Sequence, residues 1–312
     1  MKVLITGGAG FIGSHLTKKL SGIGNKVYVL DNLSTGKLSN ISFLPKEQIF
    51  IENFEDKQFV EQLIKTYDFD YVIHLAAVVS VVETVDNPLK SHEVNVNATI
   101  NLLESIRLYS NNIKKIIFAS SAAVYGRNDQ LPKSLESKID IRSPYAIQKF
   151  TSEQYMKLYH DLYNLPTVSL RFFNVYGPLQ NPYSDYSGVL SILKRSFINK
   201  TEFKIFGDGH QTRDFIYIDD LIRGILIVLD NEETTGKIYN LGTGTSMSLN
   251  EMYLIFKNKF GYDIPLNYVS PRRGDVKHSV ADIKRIKELG FKPYRSRIEN
   301  LHKYILFDED NK

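Results

Sequence analysis

The stretch Lys2-Val3-Leu4-Ile5-Thr6-Gly7-Gly8-Ala9-Gly10-Phe11-Ile12-Gly13 decides the fold. Its first five residues read as a buried strand, since a short apolar run that stops at glycine suits a strand covered on both faces. Gly7, Gly10 and Gly13 then recur every third residue, and an amphipathic helical pattern follows to about Leu20. A helix beginning inside such a turn presents its N-terminal amides, and the missing side chains let a pyrophosphate approach them. The spacing alone also fits a plain tight turn. The surroundings separate the two readings: a second apolar strand, Lys26 to Leu30, ends at Asp31, about 20 residues further on, where a dinucleotide fold places its acidic residue. A carboxylate there accepts hydrogen bonds from an adenosine ribose and repels a 2′-phosphate, which predicts NAD rather than NADP.

Working outward, strands are expected at Ile49 to Glu52, Tyr71 to Leu75, Lys115 to Ser120 and Thr167 to Arg171. Helical patterns cover Glu55 to Thr66, Leu89 to Tyr109 and Tyr145 to Tyr163. This alternation predicts an α/β fold with a doubly wound, Rossmann-like parallel sheet. Ligands on such sheets gather beyond the carboxyl ends of the strands. Asn53-Phe54, Ala76-Ala77, Ser120-Ser121 and Asn174 all fall at those ends.

With 312 residues and 43% hydrophobic content, the chain can bury a large core and is long for one compact domain, so a large domain with a smaller lobe is expected. The formal charge of +4 comes from dispersed Lys and Arg, which speaks against nucleic acid or a membrane surface as partner. Cysteine is absent, excluding disulfides and thiolate metal sites. The histidines, His15, His74 and His210 among them, lack paired ligand spacing, and no metal is expected,. Met1-Lys2 runs straight into the first strand, and apolar runs such as Ile222 to Leu229 fall well short of the roughly 20 residues of a membrane span,. A cytoplasmic location is the expectation.

The chemistry points to Ser143-Pro144-Tyr145-Ala146-Ile147-Gln148-Lys149. A Tyr and a Lys four residues apart share a helix face, where an ammonium favours the phenolate of a group whose ordinary pKa is about 10. Such a pair serves as a general base near neutral pH, although the same spacing also occurs on solvated faces.

These motifs together resemble the extended short-chain dehydrogenase/reductases, in the NAD-dependent nucleotide-sugar epimerase and dehydratase family. The resemblance runs through Thr6 to His15, Asp31 to Gly36, His74-Leu75-Ala76-Ala77, Ser120 to Gly126, Tyr145 with Lys149, and Arg171 to Pro178. It continues in Gly207-Asp208-Gly209, Thr212 to Phe215, Tyr239 to Gly242 and Arg272-Arg273-Gly274-Asp275. It implies that Tyr145 is the acid/base, that Lys149 also holds the nicotinamide ribose, and that Ser121 bonds the reacting hydroxyl. The implied cofactor contacts are Gly7, Gly10, Phe11, Ile12, Gly13, Asp31, Asn32, Ser34, Gly36, Asn53, Phe54, Leu75, Ala76, Ala77 and Asn95, besides Tyr145 and Lys149. For a UDP-sugar it implies Asn174 at the diphosphate, Arg213 and Arg272 as its counter-charges, and Val189 and Lys204 among the further substrate contacts. Phe206 resembles the aromatic against uracil, with a core Phe as the alternative. Asp275 resembles a ribose ligand, with a turn cap as the alternative. Ser80 either faces the sugar or starts a helix.

Within this family, dehydratases and a decarboxylase carry acidic residues just before Val124-Tyr125-Gly126, where this chain has Ala122 and Ala123. That leaves the 4-epimerase pattern. At Ser279, relatives with a bulky Tyr exclude N-acetylated sugars, so the resemblance implies UDP-N-acetylglucosamine/galactosamine as well as UDP-glucose/galactose. A UDP-glucuronate or UDP-N-acetylglucosaminuronate 4-epimerase is the runner-up, and a non-catalytic NAD-binding regulator is the alternative from another class. The expected division is 1–176 with 214–244 for NAD and 177–213 with 245–312 for the nucleotide sugar. Apolar residues on two faces of 94–109, Leu102, Ile106 and Tyr109 beside Val96, Ile100 and Leu103, fit a homodimer or plain core, and 308–312 reads as a solvated tail.

Overall fold

The computed structural model describes residues 1–183, 188–271, 276–293 and 296–307. The first half runs β1 (Lys2–Thr6), α1 (Phe11–Gly22), β2 (Lys26–Leu30), β3 (Ile49–Phe50), α2 (Lys57–Tyr67), β4 (Tyr71–His74), α3 (Val81–Asp86), α4 (Pro88–His92), α5 (Ala98–Tyr109), β5 (Lys115–Ser121) and α6 (Pro144–Tyr163). It continues with β6 (Thr167–Phe172), β7 (Asn174–Tyr176), α7 (Val189–Asn199), β8 (Phe203–Phe206), β9 (Thr212–Arg213), β10 (Phe215–Tyr217) and α8 (Ile218–Asp230). Last come β11 (Ile238–Leu241), β12 (Met247–Ser248), α9 (Leu249–Phe260), β13 (Leu266–Val269), α10 (Lys284–Glu288) and α11 (Arg297–Leu306).

Seven strands form one parallel sheet in the order β11-β6-β5-β4-β1-β2-β3, as the alternation predicted. The register decides where ligands go. Thr6 pairs with Leu30 on one side and His74 on the other, and His74 pairs with Phe118. β1, β2 and β4 therefore end level while β5 runs on to Ser121, and their following loops open at one edge. β1 lies between β2 and β4, so the direction of winding reverses beside its carboxyl end,.

Apolar spacing explains the layers. In α2, Val60, Leu63 and Ile64 recur at helical spacing and pack with Leu102, Leu103 and Ile106 of α5 and Met156 of α6 against Leu4, Val72 and Ile116 of the sheet. Each such side chain contributes about 1.5–3 kcal/mol by leaving water. A smaller cluster holds Ala9, Val29, Ile41 and Leu44. The residues expected to mark a dimer face, Leu102, Ile106, Val96 and Leu103, are core, while Ile100 and Tyr109 are partly buried.

Two expectations change at element level. The third strand is only Ile49–Phe50, an edge pair on β2. The helix expected over 89–109 is divided, with a π turn at Glu93–Asn97 between α4 and α5. Hydroxyls of Thr99 (2.9 Å) and Ser152 (2.7 Å) both donate to the Asn95 carbonyl, and such side-chain intrusion widens a helical turn,.

Contacts divide the chain into two compact units. The first comprises Met1–Val124, Ser143–Arg171 and Ile225–Tyr239, the second Tyr125–Arg142, Phe172–Gly224 and Asn240–Lys312. The second thus takes in 125–142, 172–176, 214–224 and 240–244, which the expected division groups with the first. Asp214 gives the physical reason. Its fully buried carboxylate accepts from Thr243 N (2.8 Å), Thr243 Oγ1 (2.6 Å), Gly244 N (2.9 Å) and Ala281 N (3.1 Å). Burial raises its pKa against those four donors. Parallel pairs β7/β10 and β8/β13 and the antiparallel pair β9/β12 complete this unit. No helix among the described residues is long and apolar enough to cross a membrane.

In the first unit, Lys115 binds a helix end to the sheet. Its buried ammonium donates to the carbonyls of Val228 (2.9 Å) and Asn231 (2.5 Å) and to Thr234 Oγ1 (2.9 Å). The last turn of α8 places partial negative charge there, which offsets the burial that lowers the ammonium's pKa,. Lys115→Met leaves these carbonyls unpaired and is expected to lower unfolding free energy by ~2 kcal/mol in a urea titration, the cost of buried acceptors without donors.

Candidate active site

The glycine turn lies at the sheet's reversal point. Gly7 has φ +70°, the left-handed region that disfavours side chains, and a Cβ there would stand 2.8 Å from Ala76 N,. A Cβ on Gly13 would stand 2.1 Å from Gly7 O. The turn therefore closes only with glycine, and it brings Gly7 against the loop of Leu75 and Ala76. Gly10 is the N-cap of α1 and no side chain caps that helix end. A helix terminus without a side-chain cap beside a glycine cradle fits a dinucleotide pyrophosphate.

Asp31 is buried where β2 ends. One carboxylate oxygen accepts from Ala9 N (2.9 Å) and the other from Leu33 N (2.8 Å), leaving lone pairs on both,. The loop is held further by Ser34 N to Asn32 Oδ1 (3.0 Å) and Asn32 Nδ2 to Asn53 Oδ1 (3.1 Å), while Gly36 lies close to Ala9. Asn32, Ser34 and Asn53 are exposed, and Phe11, Ile12 and Ala77 are half-buried. Two expected contacts are used differently. Phe54 packs its ring on His74 at 4.5 Å within the core. Buried Asn95 spends its side chain on Val78 N (2.8 Å), Val78 O (3.0 Å) and Gln148 Oε1 (2.7 Å), so it shapes the loop after β4.

Ser121 ends β5, and Tyr145 and Lys149 lie in the first turns of α6. Ser143 caps that helix by accepting from Ala146 N (3.1 Å), and Pro144 follows at the first helical position, so the sequence starts the helix one residue before the tyrosine,. Ser121 Oγ accepts from Ala123 N (3.1 Å) and is near enough to Tyr145 to act on its phenol. The Lys149 ammonium is buried, donates to Ala119 O (2.9 Å) and lies 4.9 Å from the Phe118 ring centre.

The electrostatics differ from the simple expectation of a lowered phenol pKa. Burial raises that of Tyr145, and the Ser121 hydrogen bond is what opposes it. Burial lowers Lys149 to about 7. Desolvation thus outweighs the attraction expected from the spacing. His74, between Thr6 Oγ1 (2.7 Å) and Thr99 Oγ1 (2.9 Å), falls to about 3 through burial first and the Lys149 charge second, and stays neutral.

In the second unit, Asn174 is exposed on β7 and its amide donates to Asp214 O (3.1 Å). Arg213 Nη1 donates to the carbonyls of Thr212 (3.0 Å) and Lys277 (3.2 Å), and Ser279 N donates to Thr212 O (3.1 Å), which makes Arg213 and Ser279 near neighbours. Phe206 is half-buried at the end of β8 rather than core. Lys204 is exposed with Glu202 at 3.7 Å, and Val189 begins α7. Ser80, in the first unit, accepts from Glu83 N (3.1 Å) as the N-cap of α3. Arg272 and Asp275 lie outside the described residues.

Sequence reasoning passed over Glu153, whose carboxylate is fully buried against Arg171 and Ser120. The signal was the helical series Tyr145, Lys149, Glu153, which puts an acid one turn beyond the lysine on the same face,.

A parallel sheet reversing at a glycine cradle, with Asp31 after the second strand and Ser121, Tyr145 and Lys149 grouped near its edge, defines the short-chain dehydrogenase/reductase class. More narrowly, the chain belongs to the NAD dependent epimerase/dehydratase family, whose profile matches residues 3–242, and NAD is its cofactor. It is 40% identical over 310 residues to a putative UDP-glucose 4-epimerase of Methanocaldococcus jannaschii, covering 99% of each chain. It also resembles the crystal structure of Thermotoga maritima UDP-glucose 4-epimerase with UDP-glucose (36% identity, TM-score 0.92, 98% of this chain and 97% of that one). A UDP-N-acetylglucosamine 4-epimerase of Methanobrevibacter ruminantium is similar at 38% identity and TM-score 0.90, covering 97% and 96%.

The Lys149 shift has a consequence for stability. Below pH 7 folded and unfolded chains both carry the proton, and the cost of burying the charge is fully present,. Between about 7 and the ordinary 10.5 the folded chain releases the proton first, so stability from this group rises with pH and is lost again as pH falls. Lys149→Met, in protein stripped of dinucleotide, is therefore expected to raise the melting temperature over the parent most near about pH 6, with the gap closing towards about pH 10.

Proposed function

We propose that the protein is a UDP-sugar 4-epimerase acting on both UDP-glucose/galactose and UDP-N-acetylglucosamine/galactosamine. The observation that carries this reading is Ser121 at the end of β5, whose hydroxyl opposes the effect of burial on Tyr145, with Lys149 one turn along α6 and only Ala122 and Ala123 in the positions that follow. That set can move one proton at one alcohol oxygen. It has no carboxylate at 122 or 123 to continue towards elimination or decarboxylation.

Bound NAD supplies reversible hydride acceptance at its nicotinamide. Tyr145 Oη takes the proton from the sugar 4-hydroxyl and returns it after the ketone has presented its other face. Ser121 Oγ donates to the same oxygen as charge develops on it. Lys149, with a pKa of about 7, is charged or neutral at little cost and balances the phenolate when protonated. In the second unit, Arg213 and Asn174, with Arg272, serve the diphosphate, Phe206 and Val189 the base, Asp275 the ribose, and Lys204 the outer edge. Ser279 and Ser80 face the sugar. Ser279 is held beside Arg213 through Thr212, and its small side chain leaves volume for a 2-acetamido group.

The protein acts as a homodimer in this reading. Leu108 of α5 and Leu158, Leu162 and Tyr163 of α6 are about half exposed, at 54%, 45%, 59% and 46%, and a second copy of these helices would cover them. Leu158→Glu with Leu162→Glu is expected to sediment as monomer where the parent sediments as dimer.

Turnover of a panel of UDP-sugars, read by product separation, tests the reaction. The parent is expected to convert UDP-galactose and UDP-N-acetylgalactosamine, and Tyr145→Phe to lose about 10²–10⁴-fold in kcat, the range for a positioned acid/base. Conversion of UDP-galactose alone would refute the Ser279 reading. Turnover only of uronates would replace the substrate, and bound NAD without turnover would leave a regulator.

A further inference from the structure

The deepest charge in the first unit is used by none of the steps above. Glu153 is completely buried and Arg171 nearly so. Arg171 donates to both carboxylate oxygens, Nε to Oε2 at 2.9 Å and Nη2 to Oε1 at 2.6 Å, and Ser120 Oγ donates to Oε2 at 2.7 Å. Three elements meet at this carboxylate: α6 through Glu153, β6 through Arg171 and β5 through Ser120.

Its place in the sequence gives the group its meaning. Ser120 immediately precedes Ser121, and Glu153 follows Lys149 by one helical turn. Lys149 donates to Ala119 O. Successive residues of β5, Ala119 and Ser120, are therefore tied to successive turns of α6, next to the residues that carry the chemistry. Stability is a poor account of such a pair. A buried ion pair costs desolvation that apolar residues of similar volume avoid, whereas a three-donor carboxylate fixes direction as well as distance.

We propose that Glu153 is a positioning residue: by locking Ser120 and Arg171 it sets the rotation and height of α6 on β5, and hence the place of Tyr145 against Ser121. The inference rests on the 4-epimerase reading for its kinetic consequence, while the brace itself is a property of the first unit. It acts through Ser120 and needs no contact with substrate.

Ser120→Ala is the decisive variant, because it removes the link to β5 and leaves the ion pair intact. Glu153→Gln strands the Arg171 charge and is informative only where it folds. On the holoenzyme, Ser120→Ala is expected to lower kcat about tenfold with KM moved less than about twofold, since misplacement of reacting groups is felt in the transition state. Amide hydrogen exchange is expected to quicken in peptides carrying Ser121 and the first turns of α6. A kcat within about twofold of the parent's, or a loss carried by KM, overturns the inference. So does unchanged exchange, and that arm holds even if the parent turns over no UDP-sugar, which would be a failure of the 4-epimerase reading instead.

Discussion

The level ends of β1, β2 and β4 are the constraint on which the site depends. Because Thr6 pairs with both Leu30 and His74, Gly7, Asp31 and Leu75 begin their loops side by side. A slip of one residue would draw the exposed Lys2 or Lys26 towards the buried rows, so the buried runs Val3 to Ile5 and Val27 to Leu30 hold the register,. The loop approach follows from it. Gly7 comes so near Ala76 that any side chain is excluded, and Gly13 nests on the carbonyl of Gly7. A cradle that fits a pyrophosphate therefore emerges from backbone alone, with strand packing as its support,.

Behind that edge, the chain places polar groups where an apolar core would have been simpler. His74 joins Thr6 to Thr99, Thr99 and Ser152 meet on the Asn95 carbonyl, and the Asn95 side chain joins Val78 to Gln148, which also donates to Ser91 Oγ (2.9 Å). Each donor here has an acceptor, which is the condition under which a buried polar network specifies geometry rather than costing stability. The network and the Glu153 carboxylate grip α6 from two sides. One reaches it through Gln148 and Ser152, the other through Glu153. The π turn at Glu93–Asn97 is the backbone's accommodation of the first grip.

The sheet, the glycine turn and the start of the helix that carries Tyr145 were legible in the sequence because each has a local cause. Apolar runs, glycine spacing and the Ser143-Pro144 helix start act over a few residues. What was not legible depends on contacts between distant segments. The resemblance implies Asn95 as a cofactor contact, and it gives no sign that the side-chain amide bonds Val78 and Gln148. Phe54 follows a strand end, yet its ring turns inward onto His74. The helix over 89–109 has an unbroken apolar pattern, and the interruption comes from Ser152, more than fifty residues away. Asp214 drew 240–244 and 281 to the second unit in the same way, through one carboxylate whose donors no periodicity announces.

The proton inventory of Tyr145 and Lys149 follows from the same dryness. Desolvation raises the phenol and lowers the ammonium, so it penalises both charged forms. A phenol with a neutral amine and a phenolate with an ammonium hold the same number of protons, and they differ only in where one proton resides. Charge separation within the pair is then favoured by whatever stabilises both ends at once, Ser121 at the phenolate oxygen and the Ala119 carbonyl at the ammonium. Those two groups belong to one strand, two residues apart, so the setting of α6 on β5 fixes both ends of the pair together.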